Sequence, residues 1–282
     1  MRIVMDDAGD VPEELVKKHN IAVIPVNITF GTQEYLSGME LDQTGFYEKV
    51  KEVGEHNFPK SSQPTPFQFQ QLYESILGEG ENEIMTITVG EKLSGTYASA
   101  EAGAQPLQDK GTFHLFDSAS GSAAQGYMVL EAARMAEAGA TADEIFAKLE
   151  RMRDEQTVVF LIDSLEYAVK GGRVGSLQSS LASLLRIKPI MELKDGQIVE
   201  AGRVRTYAKA LDYIVDKVTR EVGDKPVKMA LIHAHDPQGV IQLREQASKR
   251  LNVSEEFESE MAVSVAINLG PGALGIVAIP EE

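Results

Sequence analysis

The chain has 282 residues, 43% hydrophobic and 25% charged, a globular balance that excludes disorder and at about 150 residues per domain suggests two domains. Its 43 acidic residues against 27 basic ones give a formal net charge of −16, a field that repels phosphate backbones and anionic membrane surfaces. The densest cationic stretches, Lys17-Lys18-His19 and Lys249-Arg250, are short, so no nucleic acid is expected as a partner. Cysteine is absent, which removes disulfides, thiolate metal sites and cysteine nucleophiles together. The opening Ile3-Val4-Met5 meets Asp6-Asp7 at once, and no run of about 18 apolar residues occurs. A cytoplasmic protein with no signal peptide and no stable membrane anchor is expected.

In chain order, short β-rich runs alternate with helical patterns, which predicts an α/β fold with parallel pairing. Arg2–Met5 reads as a strand, followed by an acidic loop and a helix whose first turn suits Pro12, Glu13 and Glu14. Ile21–Phe30 reads as the second strand, Thr44–Val53 as a helix, and Gly54–Pro64 as a polar connection. Thr65 caps and Pro66 opens a helix to about Leu77. Ile84–Val89 is a predicted strand, Ser94 onward a helix, Thr112–Phe116 a strand and Ala123–Ala138 a helix. Thr141-Ala142-Asp143-Glu144 is a capping box for a helix to about Arg153.

Strand Val158–Ile162 opens the second half, so the expected domains are 1–155 and 156–282. A glycine turn at Gly171-Gly172-Arg173 and a helix over Leu177–Arg186 follow. Ile187–Leu193 and Gln197–Gly202 form a predicted hairpin around Asp195-Gly196. Helix Tyr207–Glu221, strand Val227–His233, helix Pro237–Leu251 and two terminal strands complete the chain. The first sheet is therefore expected to be mainly parallel and the second mixed.

Gly270-Pro271-Gly272-Ala273-Leu274-Gly275 fits the dinucleotide pattern G-x-G-x-x-G. That chemistry needs a helix after the glycines to hold the pyrophosphate, whereas Gly275–Pro280 reads as a strand. His233 and His235 lie two apart on a predicted strand and would share a face. Further ligands at recognisable spacing are lacking, so no metal site is expected.

Two hydroxyl-rich turns are better placed. Ser61-Ser62-Gln63-Pro64-Thr65 precedes a helix, and Leu93-Ser94-Gly95-Thr96 joins strand Ile84–Val89 to a helix. Ligands of open α/β sheets sit outside the carboxyl ends of strands, where helix N-termini offer free N–H groups to anions. Serine hydroxyls there make a donor cluster for a carboxylate or phosphate. Helix capping is the alternative role for the same residues.

Together the motifs resemble the DegV family, the fatty-acid-binding proteins that include the FakB subunits of bacterial fatty acid kinase. The resemblance spans the chain. It rests on Asp6 and Asp10, Ser61-Ser62-Gln63-Pro64-Thr65, Lys92-Leu93-Ser94-Gly95-Thr96-Tyr97, Asp117-Ser118, Leu165-Glu166-Tyr167, Lys170-Gly171-Gly172-Arg173, Ile187-Lys188-Pro189-Ile190, Val204-Arg205 and Gly270–Gly275.

It implies two α/β domains with a ligand tunnel between them and no catalysis by the protein itself. One long-chain fatty acid would be the ligand, with no cofactor, and an ATP-dependent fatty acid kinase subunit the partner that forms the acyl phosphate. Carried over by motif, the head-group contacts fall on Ser61 and Ser94, with Ser62, Gly95, Arg173 and Asn268 in second rank. Two positions depart from the family pattern. Its opening Thr-Asp-Ser-Thr-Ala-Asp is Met5-Asp6-Asp7-Ala8-Gly9-Asp10 here, losing hydroxyls and gaining a negative charge. Its usual histidine before Thr-Gly-Pro-Gly is Asn268, which hydrogen-bonds but carries no charge. Two other readings remain beside the carrier: a binding module of the same fold for another amphiphile or anion, and a hydrolase or transferase using Ser94 as nucleophile. The last lacks an evident base.

Overall fold

The computed structural model describes residues 1–53, 58–163, 165–174 and 187–281. The predicted helix over Leu177–Arg186 lies outside the described residues. The chain divides into two compact units, Met1–Asp154 with Ala262–Ser264, and Glu155–Met261 with Val265–Glu282. A three-residue stretch late in the sequence thus counts with the first unit.

The first unit holds a parallel sheet of β1 (Arg2–Asp6), β2 (Ala22–Ile24), β6 (Glu83–Thr88) and β7 (Thr112–Asp117), in the order β2-β1-β6-β7. The central strands are buried on both faces, which is why β1 and β6 read as apolar runs rather than alternating ones. From β1 the chain winds one way to β2 and then returns to the other side for β6 and β7. The order therefore reverses between β1 and β6, and that switch point is where such sheets place ligands.

The predicted single strand Ile21–Phe30 is two strands in different sheets. Pro25 lacks the N–H that would continue the ladder, so the chain leaves β2 and re-enters as β3 (Asn27–Phe30). There it pairs antiparallel with β4 (Gln33–Leu36) and with β5 (Lys60–Ser62) in a small sheet. The expected polar connection over Gly54–Pro64 thus carries a strand, in which Ser61 lies opposite Ile28 and Ser62 opposite Asn27.

Helices α1 (Glu13–Lys18) and α2 (Gln43–Val53) precede β5; α3 (Pro66–Gly78), α4 (Thr96–Ala104), α5 (Ser122–Glu137) and α6 (Ala142–Glu155) follow it. Thr65 and Gln68 form a reciprocal capping box at α3, with Pro66 in the first turn. Thr141 and Glu144 hydrogen-bond reciprocally at the start of α6. Both N-termini follow from local side-chain chemistry.

The second unit is built on a six-stranded mixed sheet. Its members are β8 (Thr157–Leu161), β9 (Lys188–Lys194), β10 (Gln197–Val204), β11 (Pro226–His233), β12 (Asn252–Glu260) and β13 (Leu274–Pro280), ordered β10-β9-β8-β13-β11-β12. Only β11 and β12 run parallel. Asp195 and Gly196, both at positive φ, turn the β9–β10 hairpin as the primed turns require. Helix α7 (Leu165–Gly171) follows β8, and α8 (Tyr207–Val222) lays Leu211, Ile214, Val215, Val218 and Val222 on the sheet. Helix α9 (Pro237–Ala247) and all but the first two residues of α10 (Val263–Leu269) complete it. The last, between the two terminal strands, was not expected. No helix of the described residues is long and apolar enough to cross a membrane.

Candidate functional site

In the first unit the switch point is tied together by Asp6 at the end of β1. Its Oδ1 accepts the Ala8 N–H at 3.1 Å and its Oδ2 the Val89 N–H at 2.8 Å, just past β6. The loop after β6 is fixed from the other side by Asp117, whose Oδ1 accepts the N–H groups of Glu91 at 3.1 Å and Ala119 at 2.9 Å. Within this frame the Ser94 N–H donates to the Gly90 carbonyl at 3.1 Å. The turn that carries Ser94 is thus placed outside the carboxyl end of β6.

The predicted helix start at Ser94 moves to Thr96, because Gly95 is the N-cap residue and no side chain caps it. Ser94 does not act as a cap. Its hydroxyl pairs with the buried Thr96 hydroxyl at 2.8 Å, and among the described residues no side chain caps the first-turn N–H groups of α4. Ser61 and Ser62 do not cap either, since Thr65 fills that role at α3. Ser61 is half-buried on β5 and Ser62 exposed. The capping alternative therefore fails for all three serines.

The two hydroxyl-rich turns meet through a residue that sequence reasoning passed over. A methyl group added at Gly95 would lie 2.9 Å from Gln63 Nε2 and 3.3 Å from its Cδ. Asn27 of β3 holds the same connection, its Nδ2 donating to the Gln63 carbonyl at 3.2 Å and to Gln68 Oε1 at 3.3 Å. The motif beginning at Ser61 and the motif containing Ser94 thus share one locality, with Gln63 and Thr96 as members that their spacing did not single out.

In the second unit the remaining candidates gather at Gly171. Arg173 is exposed and its Nη1 donates to the Gly171 carbonyl at 2.6 Å. A Cβ at Gly171 would sit 2.8 Å from Asn268 Cα and 2.9 Å from its Oδ1, so glycine is what lets α7 close on α10. The run Gly270–Gly275 has no helix after it. Gly270 and Gly272 sit at positive φ, and the Gly272 N–H reaches the Ala234 carbonyl at 2.7 Å. Gly275 lies on β13, where a Cβ would come within 2.5 Å of Phe160 Cβ and 2.7 Å of the Val159 carbonyl. These glycines serve backbone approach rather than a pyrophosphate. Gly275→Ala is accordingly expected to cost about 1–3 kcal/mol of stability, read as a lower melting temperature in a circular dichroism scan; an unchanged midpoint would refute the packing role.

The predicted pairing of His233 and His235 on one strand face is corrected. β11 ends at His233, and His235 stands beyond it at φ 56°, exposed. His233 is buried, its Nδ1 accepting the Asp236 N–H at 3.2 Å and its Nε2 lying 3.6 Å from Glu258. It belongs to the packing of β11 on β12.

The acidic first loop is also modified. Asp10 Oδ1 accepts the Ala262 N–H at 2.6 Å and its other oxygen takes the Ser122 hydroxyl, while Asp7 Oδ1 accepts the Val26 N–H at 3.2 Å. Burial pushes Asp6 up to about 6, Asp7 to about 8 and Asp10 to about 7, with the Asp6 charge adding to the last two. The negative charge that Asp7 brings to the family's hydroxyl position is therefore suppressed at neutral pH.

The sequence model of the uncharacterised DegV family matches residues 1–281. The chain belongs to the DegV family. A DegV domain-containing protein of Listeria monocytogenes is 34% identical, over 97% of this chain and 96% of its own length. Among solved structures, a fatty-acid-binding DegV family protein from Thermus thermophilus superposes with a TM-score of 0.91 at 32% identity, all of both chains being covered. DegV of Bacillus subtilis, described as a fatty acid binding protein, superposes with a TM-score of 0.88 at 31% identity over 99% of each chain. The parallel and mixed sheets described above are thus those of the DegV fold.

Proposed function

We propose that this DegV protein binds one long-chain fatty acid and presents its carboxylate to a separate ATP-dependent fatty acid kinase, without catalysing a reaction itself. The observation that carries this reading is the Ser94 turn, where a hydroxyl released from capping stands beside an uncapped helix N-terminus at the sheet's switch point. A carboxylate is the complement of such a donor cluster. In this reading Ser61 and Ser94 are the primary contacts, Ser62 and Gly95 line the same locality, and Arg173 and Asn268 are the contacts contributed by the later half of the chain. The fatty-acid-binding relatives of Thermus thermophilus and Bacillus subtilis support the ligand class.

Energetically the tail dominates. Burying about 15 methylenes contributes roughly 12 kcal/mol gross at about 0.8 per group, so the polar cluster has only to fix the head group. Among the described residues the Ser94 hydroxyl is hydrogen-bonded to Thr96 rather than to a base, which argues against a nucleophile.

Mass spectrometry of an organic extract of the purified protein tests the ligand. A stoichiometric fatty acid is expected, and a different amphiphile in its place would overturn the reading. The kinase step is tested by adding a fatty acid kinase and labelled ATP to the loaded protein. Label on the acyl carboxylate is expected, and none would reject the presenting role.

A further inference from the structure

We infer that Gln63 is a specificity-determining residue of the head-group site, its side-chain amide donating with the Ser94 hydroxyl to one carboxylate of the bound ligand. The inference rests on the fatty-acid reading above. Three observations carry it.

Gln63 is exposed on the connection between β5 and α3, yet its amide lies against Gly95, so closely that any side chain at 95 would displace it. Glycine at the N-cap therefore admits the amide to the mouth of α4. The Gln63 backbone is pinned, since its carbonyl accepts from Asn27 Nδ2 at 3.2 Å while Asn27 also bonds the capping residue Gln68. The amide is thus delivered from a rigid corner. Among the described residues, moreover, the Gln63 side chain has no hydrogen-bond partner.

An amide could have capped α4 by turning its oxygen to the N–H groups. Instead its Nε2 is the atom nearest Gly95, at 2.9 Å from the Cβ position against 3.8 Å for Oε1. The amide beside Gly95 and the first-turn N–H groups of α4, which no side chain caps among the described residues, would together serve an acceptor from outside. An ionised carboxylate fits, because hydrogen bonds to a charged acceptor are about twice as strong as neutral ones. The amide is then selective, favouring the acid over its uncharged ester.

The test uses cis-parinaric acid fluorescence titrations at pH 7.5, with its methyl ester in parallel, on the full chain. Gln63→Ala is expected to weaken acid binding about tenfold or more and ester binding by much less. Gln63→Glu preserves the shape against Gly95 but replaces the donor with a negative acceptor. It is expected to weaken acid binding about 100-fold, with recovery as the pH is lowered and the introduced carboxylate takes up a proton. A packing role would show no such pH recovery. Gln63→Glu binding the acid as tightly as the parent, or equal losses for acid and ester, would overturn the assignment of Gln63 alone. A parent protein that binds neither probe would overturn the fatty-acid reading and this inference with it.

Discussion

Replacing Ser94 by alanine is expected to weaken fatty-acid binding roughly 10- to 150-fold while leaving the fold intact. The Ser94 hydroxyl is half-buried and, among the described residues, bonded to Thr96 Oγ1 alone. If Ser94 contacts the carboxylate as proposed, its removal deletes one hydrogen bond to a charged group, worth about 1.5–3 kcal/mol, which converts to that range of affinity. In the proposed reading, burial of the tail, which would supply most of the binding free energy, is untouched. Thr96 is fully buried at the first position of α4, and its hydroxyl loses a partner in the variant, so a small stability loss should accompany the affinity change. Fluorescence titration beside an ester and acyl-phosphate hydrolysis assay separates the roles. Undiminished affinity together with parental turnover that disappears in the variant would defeat the carrier reading in favour of a nucleophile.

The parts of this fold legible in the sequence are those fixed by neighbours along the chain. The Thr65 cap, the Thr141–Glu144 box and the Asp195-Gly196 turn are each settled within four residues, and each stands where the sequence puts it. What the sequence hid depends on distant partners. β5 is three residues long and is a strand only because β3 pairs with it. Helix α10 is a sharper case. Val263, Val265, Ile267 and Leu269 alternate with Ser264, Ala266 and Asn268, a period-two pattern that reads as a strand. The segment is helical and buried on several sides, so no amphipathic stripe is required of it, and Gly270 at positive φ ends it.

The candidate site shows the same division. Ser94 and Ser61 stand out because hydroxyls cluster in short motifs beside helix starts. Gln63 and Thr96 belong to those same motifs, but the role of Gln63 depends on Gly95 being close in space, which no local spacing encodes. His235 misleads for the converse reason. Two residues along a strand share a face only while the strand continues, and β11 stops at His233.

Raising the pH from about 5.5 to 8.5 is expected to destabilise the parent protein, and Asp7→Asn is expected to remove much of that slope. Asp6, Asp7 and Asp10 are pushed up from the ordinary 3.8 to about 6, 8 and 7, chiefly by burial. A group whose folded pKa exceeds its unfolded one binds its proton more tightly when folded. Its contribution is therefore fully present below about 4 and is lost as pH rises through the folded value. For each group the loss runs from about 4 up to its folded value, about 6 for Asp6, about 7 for Asp10 and about 8 for Asp7. The groups acting on Asp7 are the neighbouring Asp6 charge, the Ser37 and Ser264 hydroxyls and the Val26 N–H, none of them a cation that would favour ionisation.

Ionising the loop also loads negative charge beside Asp10, which holds the Ala262 N–H at the entrance to α10. Asparagine at 7 keeps the Oδ1 acceptor for Val26 and cannot ionise. Asp7→Asn should therefore melt about 2–4 °C or more above the parent at pH 8.5, with the gap narrowing toward pH 5.5. Circular dichroism melts across that range read the difference directly. Parallel melting-temperature curves for parent and variant would show that Asp7 binds no more proton folded than unfolded over that range, and would overturn its raised value.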